Sequence, residues 1–404
     1  QAGSLEDFMA VQREFSAVPW VNTVAVGRDD PRAWYADIGT MPNVTPEQTT
    51  DCTTPLAQAV VAGGGLPADV PFFDGSRSEC QWRDDPDSKQ PAATGTSRMP
   101  SLLREDYVAN MNDSHWLANP AQPLTGFPLL VGPEGTQAQS FRTRLGHLIA
   151  QGRIAGTDGA GGAGATVGTV KSVVLNSRVY TAELFKAEAL AMICTPPANA
   201  DVGEACNVLT DWTNTGNADA RGAHVWDEFW NRANDIAAAD LYAVPFDPAD
   251  PVNTPRGLKP TAETALKTAF QAAVAYVKST PYALDAQRSE YLFATRAGSP
   301  IGLYGGCGGV GYFTIACSDN ALDDGGYTMD GDPNGNSYMQ IVRFTDGGGV
   351  EAHTFLTHGQ PEDTASPVAA AYTQAYAQKA WVRQPFTDSE IAASPGLQTQ
   401  KISE

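Results

Sequence analysis

The chain has 404 residues, which at roughly 100–200 residues per domain allows two or three domains or one large one. Apolar residues make up 42% and charged residues 18%, so this is not a disordered, collagen-like or coiled-coil chain, and no apolar run reaches the ~18 residues of a membrane span. Acidic residues number 46 against 26 basic ones, a formal charge of −20, which argues against general nucleic-acid binding.

Leu5, Phe8, Met9 and Phe15 predict a helix within residues 1–18. Residues 21–26 and 33–38, around the turn Asp29-Asp30-Pro31, predict a hairpin. Residues 42–100 are rich in Pro, Gly, Asp, Ser and Thr, and read as a long irregular surface excursion holding the first cysteine pair. Residues 107–110 suggest a short strand ending at Asn112-Asp113-Ser114. Phe141, Leu145 and Leu148, at i, i+4 and i+7, predict a helix.

Residues 155–169 are glycine-rich. Gly159 to Gly164 match GxGxxG but lack the strand and helix that a phosphate cradle needs, so a flexible loop is expected. Thr181 is a candidate cap for a helix with Phe185, Ala189 and Met192 on one stripe, and residues 224–230 suggest another helix. Pro260 suits the first turn of a helix running to about Lys278. Residues 338–344 and 350–356, around Thr345-Asp-Gly-Gly-Gly349, carry the strongest hairpin signal, and a polar tail with Trp381 and Phe386 follows. Strands, a helix-rich middle and strands again imply α+β, or layered sheets with a helical insertion.

The six cysteines fall into three close pairs, Cys52/Cys80, Cys194/Cys206 and Cys307/Cys317, none with CxxC spacing. Three local disulfides and an oxidising compartment are expected; six buried thiols in a cytosolic protein is the alternative. The five histidines (His115, His147, His224, His353 and His358) contain no HExxH pair, so zinc is not expected. Asp330-Gly-Asp332-Pro-Asn334-Gly335-Asn336 imitates the start of a calcium loop. The twelfth position, which should be a bidentate Glu, is Ile341, so structural calcium would need Asp319, Asp323 or Asp324 to complete a different site. No GxSxG elbow appears, and Asp227 and Glu228, as helix neighbours, should point to different sides. The residues alone lead to a secreted, disulfide-containing α+β protein.

Several segments, in order, resemble the penicillin acylase family of N-terminal nucleophile hydrolases. The closest likeness is to the acylases of lipopeptides such as aculeacin and echinocandin, and of acyl-homoserine lactones. Residues 18–37 (VPWVNTVAVGRDDPRAWYAD) resemble the family's hairpin, and 107–120 (YVANMNDSHWLANP) its Asn-x-Asn-Asp-Ser segment. Arg142-Thr-Arg144, Ala155-Gly-Thr-Asp158, Gly335-Asn-Ser-Tyr338, Leu356-Thr-His-Gly-Gln360, Ser366-Pro367 and Lys379-Ala-Trp381 resemble later landmarks.

The resemblance implies a layered αββα fold and amide hydrolysis by an N-terminal nucleophile, usually Ser, whose free α-amine takes the proton. It assigns Asn112 to the oxyanion hole, with Asn110 as the competing candidate and a plain turn cap as the structural alternative. It places Arg142 near the nucleophile as an electrostatic support. Gln1 cannot be that nucleophile, and the stretch before Asn112 is shorter than in the family. The expectation is therefore that the whole chain, 1–404, is the C-terminal part of a β chain. Residues 1–120 would hold sheet and excursion, 121–300 helices and 301–404 strands. The partners would be the other chains of one processed precursor, an α chain and an N-terminal β piece carrying Ser, together with a small acylated substrate. The location would be secreted or periplasmic, with no cofactor. A non-catalytic scaffold subunit and a self-sufficient hydrolase are the alternatives. Trp20, Trp34 and Trp116 are aromatic candidates for an acyl pocket or for core.

Overall fold

The computed structural model describes residues 2–18, 21–63, 65, 72–194, 200–363 and 365–402. Trp20 lies outside them. The chain divides into two compact units: residues 1–139 with 248–252, and residues 140–247 with 253–404.

In the first unit, α1 (Leu5–Phe15) starts at Ser4, whose hydroxyl accepts from Asp7 N–H, and ends at Ser16 in a left-handed conformation. The expected hairpin forms from β1 (Thr23–Val26) and β2 (Ala33–Ala36), paired antiparallel. The described residues of the 42–100 stretch are more ordered than its composition suggested. They contain α2 (Pro46–Cys52) and α3 (Pro55–Ala62), each with a Thr N-cap and Pro in its first turn. The third strand is β3 (Ser101–Arg104), not residues 107–110. There the backbone serves a loop instead: Ala109 N–H donates to Ala118 O and Tyr107 O accepts from Asn119 Nδ2.

Strand alternation explains the core of this unit. Trp34 and Ala36 of β2 face Leu5, Met9 and Met99 on one side, while Tyr35 faces Leu102, Val108, Ala118 and Leu124 on the other. Trp34 and Trp116 are therefore core residues, 1% and 3% exposed.

The second unit opens with α4 (Phe141–Ala155), capped by the Ser140 hydroxyl and closed by Gly156 at φ +71°. The glycine-rich loop after it is anchored by Arg153, which pairs with Asp158 at 2.9 Å and donates to Gly161 O. Then come α5 (Val167–Val174), α6 (Tyr180–Ile193), α7 (Ala200–Asp211), α8 (Ala223–Ala233) and the short α9 (Ala238–Leu241). Thr181 does not cap α6. It lies inside the first turn, where its hydroxyl donates to Val310 O at 2.6 Å and accepts from Trp226 Nε1. The core centres on rings: Phe185 stacks on Trp230 at 4.8 Å, and Trp226 on Trp230 at 5.8 Å.

The two-stranded β4 (Tyr242–Val244) and β5 (Arg256–Leu258) precede α10 (Glu263–Ser279). Pro260 opens a 3₁₀ turn before it, and Leu266, Phe270, Val274 and Val277 are buried on its inner face. After α11 (Arg288–Tyr291), strand β6 (Leu292–Arg296) pairs with β7 (Ser299–Gly302) and, on its other edge, with β9 (Tyr327–Thr328); β8 (Ala316–Cys317) pairs with β10 (Asn334–Gly335). The late hairpin appears at its predicted bounds as β11 (Tyr338–Phe344) and β12 (Val350–Leu356). The supposed tail is structured: α12 (Pro367–Ala377), β13 (Val382–Gln384) on β12, and α13 (Asp388–Ala392).

The architecture is α+β. The three proximity pairs of cysteines are disulfides: Cys52–Cys80, Cys194–Cys206 and Cys307–Cys317. No helix among the described residues is long and apolar enough to cross a membrane.

Candidate active site

Asn112 sits in the first unit, exposed, at the tip of a tight turn. Its φ is +65°, a left-handed conformation that Asn tolerates better than most residues. Asn110 makes the turn. Its Oδ1 accepts from Asn112 N–H at 2.7 Å, and its Nδ2 donates to Asp113 O at 3.0 Å. Of the two asparagines weighed from sequence, Asn110 bonds the turn through both ends of its amide, and Asn112 is the exposed residue whose N–H it holds.

The chain leaves this turn through Ser114, whose hydroxyl donates to Pro133 O at 2.6 Å and accepts from Trp116 N–H. His115 follows, 1% exposed, with Nε2 3.2 Å from Glu134 Oε1. Burial holds the His115 pKa below its ordinary value against the opposing pull of Glu134 and Asp37, so the ring is neutral at neutral pH. Burial also raises the Asp37 carboxyl, against the opposing influence of His115.

Arg142 occupies the first turn of α4 in the second unit. Its side chain lies along Gly308, where an added Cβ would sit 3.5 Å from its Cδ and Nε. Gly308 belongs to the loop closed by Cys307–Cys317. Asn112 and Arg142 therefore belong to different units, each held by its own local scaffold.

Other sequence candidates resolve into structural roles. Asp227 and Glu228 go to different partners, and both line one cavity of about 320 Å³ in the second unit, with Arg232, Tyr276, Arg288 and Tyr327. Both carboxylates are paired there, Asp227 with Arg288 and Tyr312, Glu228 with Arg232 and Tyr327. His224 is buried, its Nε2 3.0 Å from Ala283 O. His353 lies on β12 beside Glu351, and His358 lies past the end of that strand, 3.5 Å from Arg296. Asp330, the first residue of the calcium-like turn, is bonded by Thr295 N–H, Thr328 Oγ1 and Arg296. Among the described residues no group of three or more His, Cys, Asp and Glu is arranged to hold a metal ion.

The feature that sequence reasoning missed is the Glu134 partner of His115. The two are 19 residues apart, and no periodicity or motif links them.

A profile of the family described as Penicillin amidase matches residues 1–393. The chain is 33% identical over 412 aligned residues to aculeacin-A acylase from Actinoplanes utahensis. It is 31% identical over 414 to the acyl-homoserine lactone acylase PvdQ of Pseudomonas syringae pv. syringae, and 33% over 407 to that of Pseudomonas putida. Each match covers 100% of this chain but only 49–50% of the relative, so the chain spans about half the length of these curated proteins. With its landmark segments in order along nearly the whole sequence, the chain belongs to the penicillin amidase family.

Proposed function

We propose that this chain is the C-terminal part of the β chain of an N-acyl amidohydrolase with the layered αββα fold. The α chain and an N-terminal β piece carrying the nucleophilic Ser would complete it. Support comes from the family match and from relatives that are acylases of about twice this length. The substrate class is an amide bearing a fatty-acyl or aryl-acyl group, as in a lipopeptide, an acyl-homoserine lactone or a penicillin-like compound. Three disulfides favour a secreted or periplasmic location.

In this reading the Ser hydroxyl of the companion chain attacks the amide carbonyl while its α-amine accepts the proton. The carbonyl oxygen becomes an oxyanion, to which Asn112 Nδ2 donates one hydrogen bond. Collapse expels the amine, which takes up the proton, and leaves an acyl ester on Ser; water then releases the acid. An amide donor suits this task because it does not titrate and keeps its polarity at every pH. The family resemblance assigns Arg142 the part of an electrostatic support for this chemistry.

The observation that carries the assignment is the local geometry of the 110–114 turn. Asn110 Oδ1 accepts from Asn112 N–H, and Asn112 sits exposed at φ +65° within the segment that resembles the family's Asn-x-Asn-Asp-Ser. The test is Asn112→Gly, which accepts φ > 0, beside Asn112→Ala, both made in the reassembled enzyme. Each should lower kcat by roughly 10²–10³, the usual cost of one oxyanion donor. Near-normal turnover in the Gly variant would reject the role.

A further inference from the structure

An oxyanion donor works only if its position is fixed to about 0.5 Å before the substrate arrives. Asn112 is exposed on a turn, so its rigidity must come from what flanks it. On the upstream side Asn110 braces the turn from within. On the downstream side the chain is clamped from outside. The 126–135 segment wraps over residues 114–116 and engages them at several points. Pro133 O accepts from the Ser114 hydroxyl at 2.6 Å. Gly132, at φ +135°, approaches so closely that a Cβ there would lie 3.1 Å from Ser114 Cβ, and a Cβ on Gly135 would lie 3.0 Å from the Trp116 ring. Phe127 meets the His115 ring edge-on at 5.4 Å.

The polar centre of this clamp is His115 with Glu134. Glu134 is itself held in place, because its two oxygens accept from Gly126 N–H at 2.7 Å and Phe127 N–H at 2.8 Å. The Glu134 carboxylate fixes His115 as the tautomer with its proton on Nε2. Only Asp113 and Ser114 lie between this pinned residue and Asn112, too short a link for the tip to shift freely while the ring stays.

We propose that the His115–Glu134 pair is a positioning element of the oxyanion hole, holding the turn that presents the Asn112 amide. It rests on the oxyanion reading of Asn112 and adds to it a residue pair that touches no substrate. Glu134, Asp37 and, behind Asp37, Tyr35 are the titratable groups that bear on the ring or on its neighbour Asp37. The ring acts here as a neutral hydrogen-bond donor and transfers no proton.

A positioning residue acts only through the group it positions, and that gives a sharp test in the reassembled enzyme. His115→Leu removes the donor, and His115→Gln keeps one within reach of Glu134. With active sites counted by burst titration, the Leu variant should lose roughly 10–100-fold in kcat with KM within about twofold, a loss of the size seen when supporting-shell partners are removed. The Gln variant should recover most of it. In an Asn112→Gly background the Leu substitution should cost almost nothing further, because the amide it positions is gone. Multiplying losses in the double variant would overturn the proposal, as would a Leu variant with full kcat per active site. If Asn112→Gly alone turned over normally, the oxyanion reading itself would fail, a separate result. Should the Leu variant not fold, Glu134→Gln enters the same cycle, with a smaller loss of kcat and the same non-additivity expected. Multiplying losses there would overturn the proposal equally.

Discussion

Arg288 donates to Asp227 in the interior of the second unit, and both side chains are almost wholly shielded from water. Around them Tyr312 donates to the other Asp227 oxygen at 2.9 Å, and Gly305 O accepts from Arg288 Nε at 2.9 Å and Nη2 at 2.6 Å. Burial pushes the Asp227 carboxyl up, and Arg288 pulls it back. Burial likewise opposes the Arg288 charge, but Asp227 and the flanking tyrosines hold it protonated. Removing one partner of such a pair strands the other. Arg288→Met should destabilise this unit by about 3–5 kcal/mol in chemical denaturation, and the double variant Asp227→Leu/Arg288→Met should recover much of that.

Gly305 provides the carbonyl for Arg288 and can do so only as glycine. Its φ is +100°, and a methyl group would collide with Thr314 O. Gly305→Ala should lower the melting temperature by several degrees, at about 4 °C or less per kcal/mol for a unit of this size. Gly309→Ala, where nothing lies within 4 Å, should leave it nearly unchanged.

His224 makes stability pH-dependent. Its ring rests 4.4 Å from Tyr291, and burial pushes its pKa from the ordinary 6.5 down to about 3, with Arg288 adding to the effect. The unfolded chain therefore binds one more proton than the folded chain between these values. The stabilisation is fully present above pH 6.5 and is lost as pH falls towards 3, by roughly 1.4 kcal/mol per pH unit from this group. Denaturation midpoints measured from about pH 7 to about pH 4 should fall less steeply in His224→Gln than in the parent. Equal slopes would show that another group is responsible.

The Cys52–Cys80 bridge closes a loop of 28 residues around the excursion of the first unit. Chain-entropy arguments value such a bridge at roughly 3–4 kcal/mol. The pair Cys52→Ala/Cys80→Ala should lose about that much stability and become open to limited proteolysis between the two positions. Mass mapping of the fragments would detect it.

Local elements were legible in the sequence where pattern and packing agree. The β11–β12 hairpin alternates around a glycine turn, and α10 carries a clean 3.6-residue stripe. The cysteine pairs were legible because each closes a short loop. The short helices α2 and α3 were hidden by their composition, although Thr before Pro was the available signal at both N-termini. Thr181 looked like a cap because its hydroxyl needed a partner, and it found one 129 residues away in Val310. The same reason hid Glu134 from His115 and Arg288 from Asp227. A buried polar side chain announces that it needs a partner, not which distant residue supplies it. Asn112 was a candidate through its neighbours in the Asn-x-Asn-Asp-Ser segment, but the bonds that Asn110 makes within the turn required coordinates.

The strand β11 is an outer strand of its sheet among the described residues, hydrogen-bonded to β12, and helix α5 lies against it. Tyr338, Val342 and Phe344 are exposed along it, and its single charge, Arg343, is neutralised by Glu351 directly opposite on β12. Such a rim is a template for further strands and has no free charge to repel them. The consequence is for production of the chain in a cell, where this edge is open to pairing before its neighbours have packed. Chaperone demand and inclusion-body formation should depend on how promptly that rim is covered, and yield should respond to Val342→Lys before it responds to any change in the core.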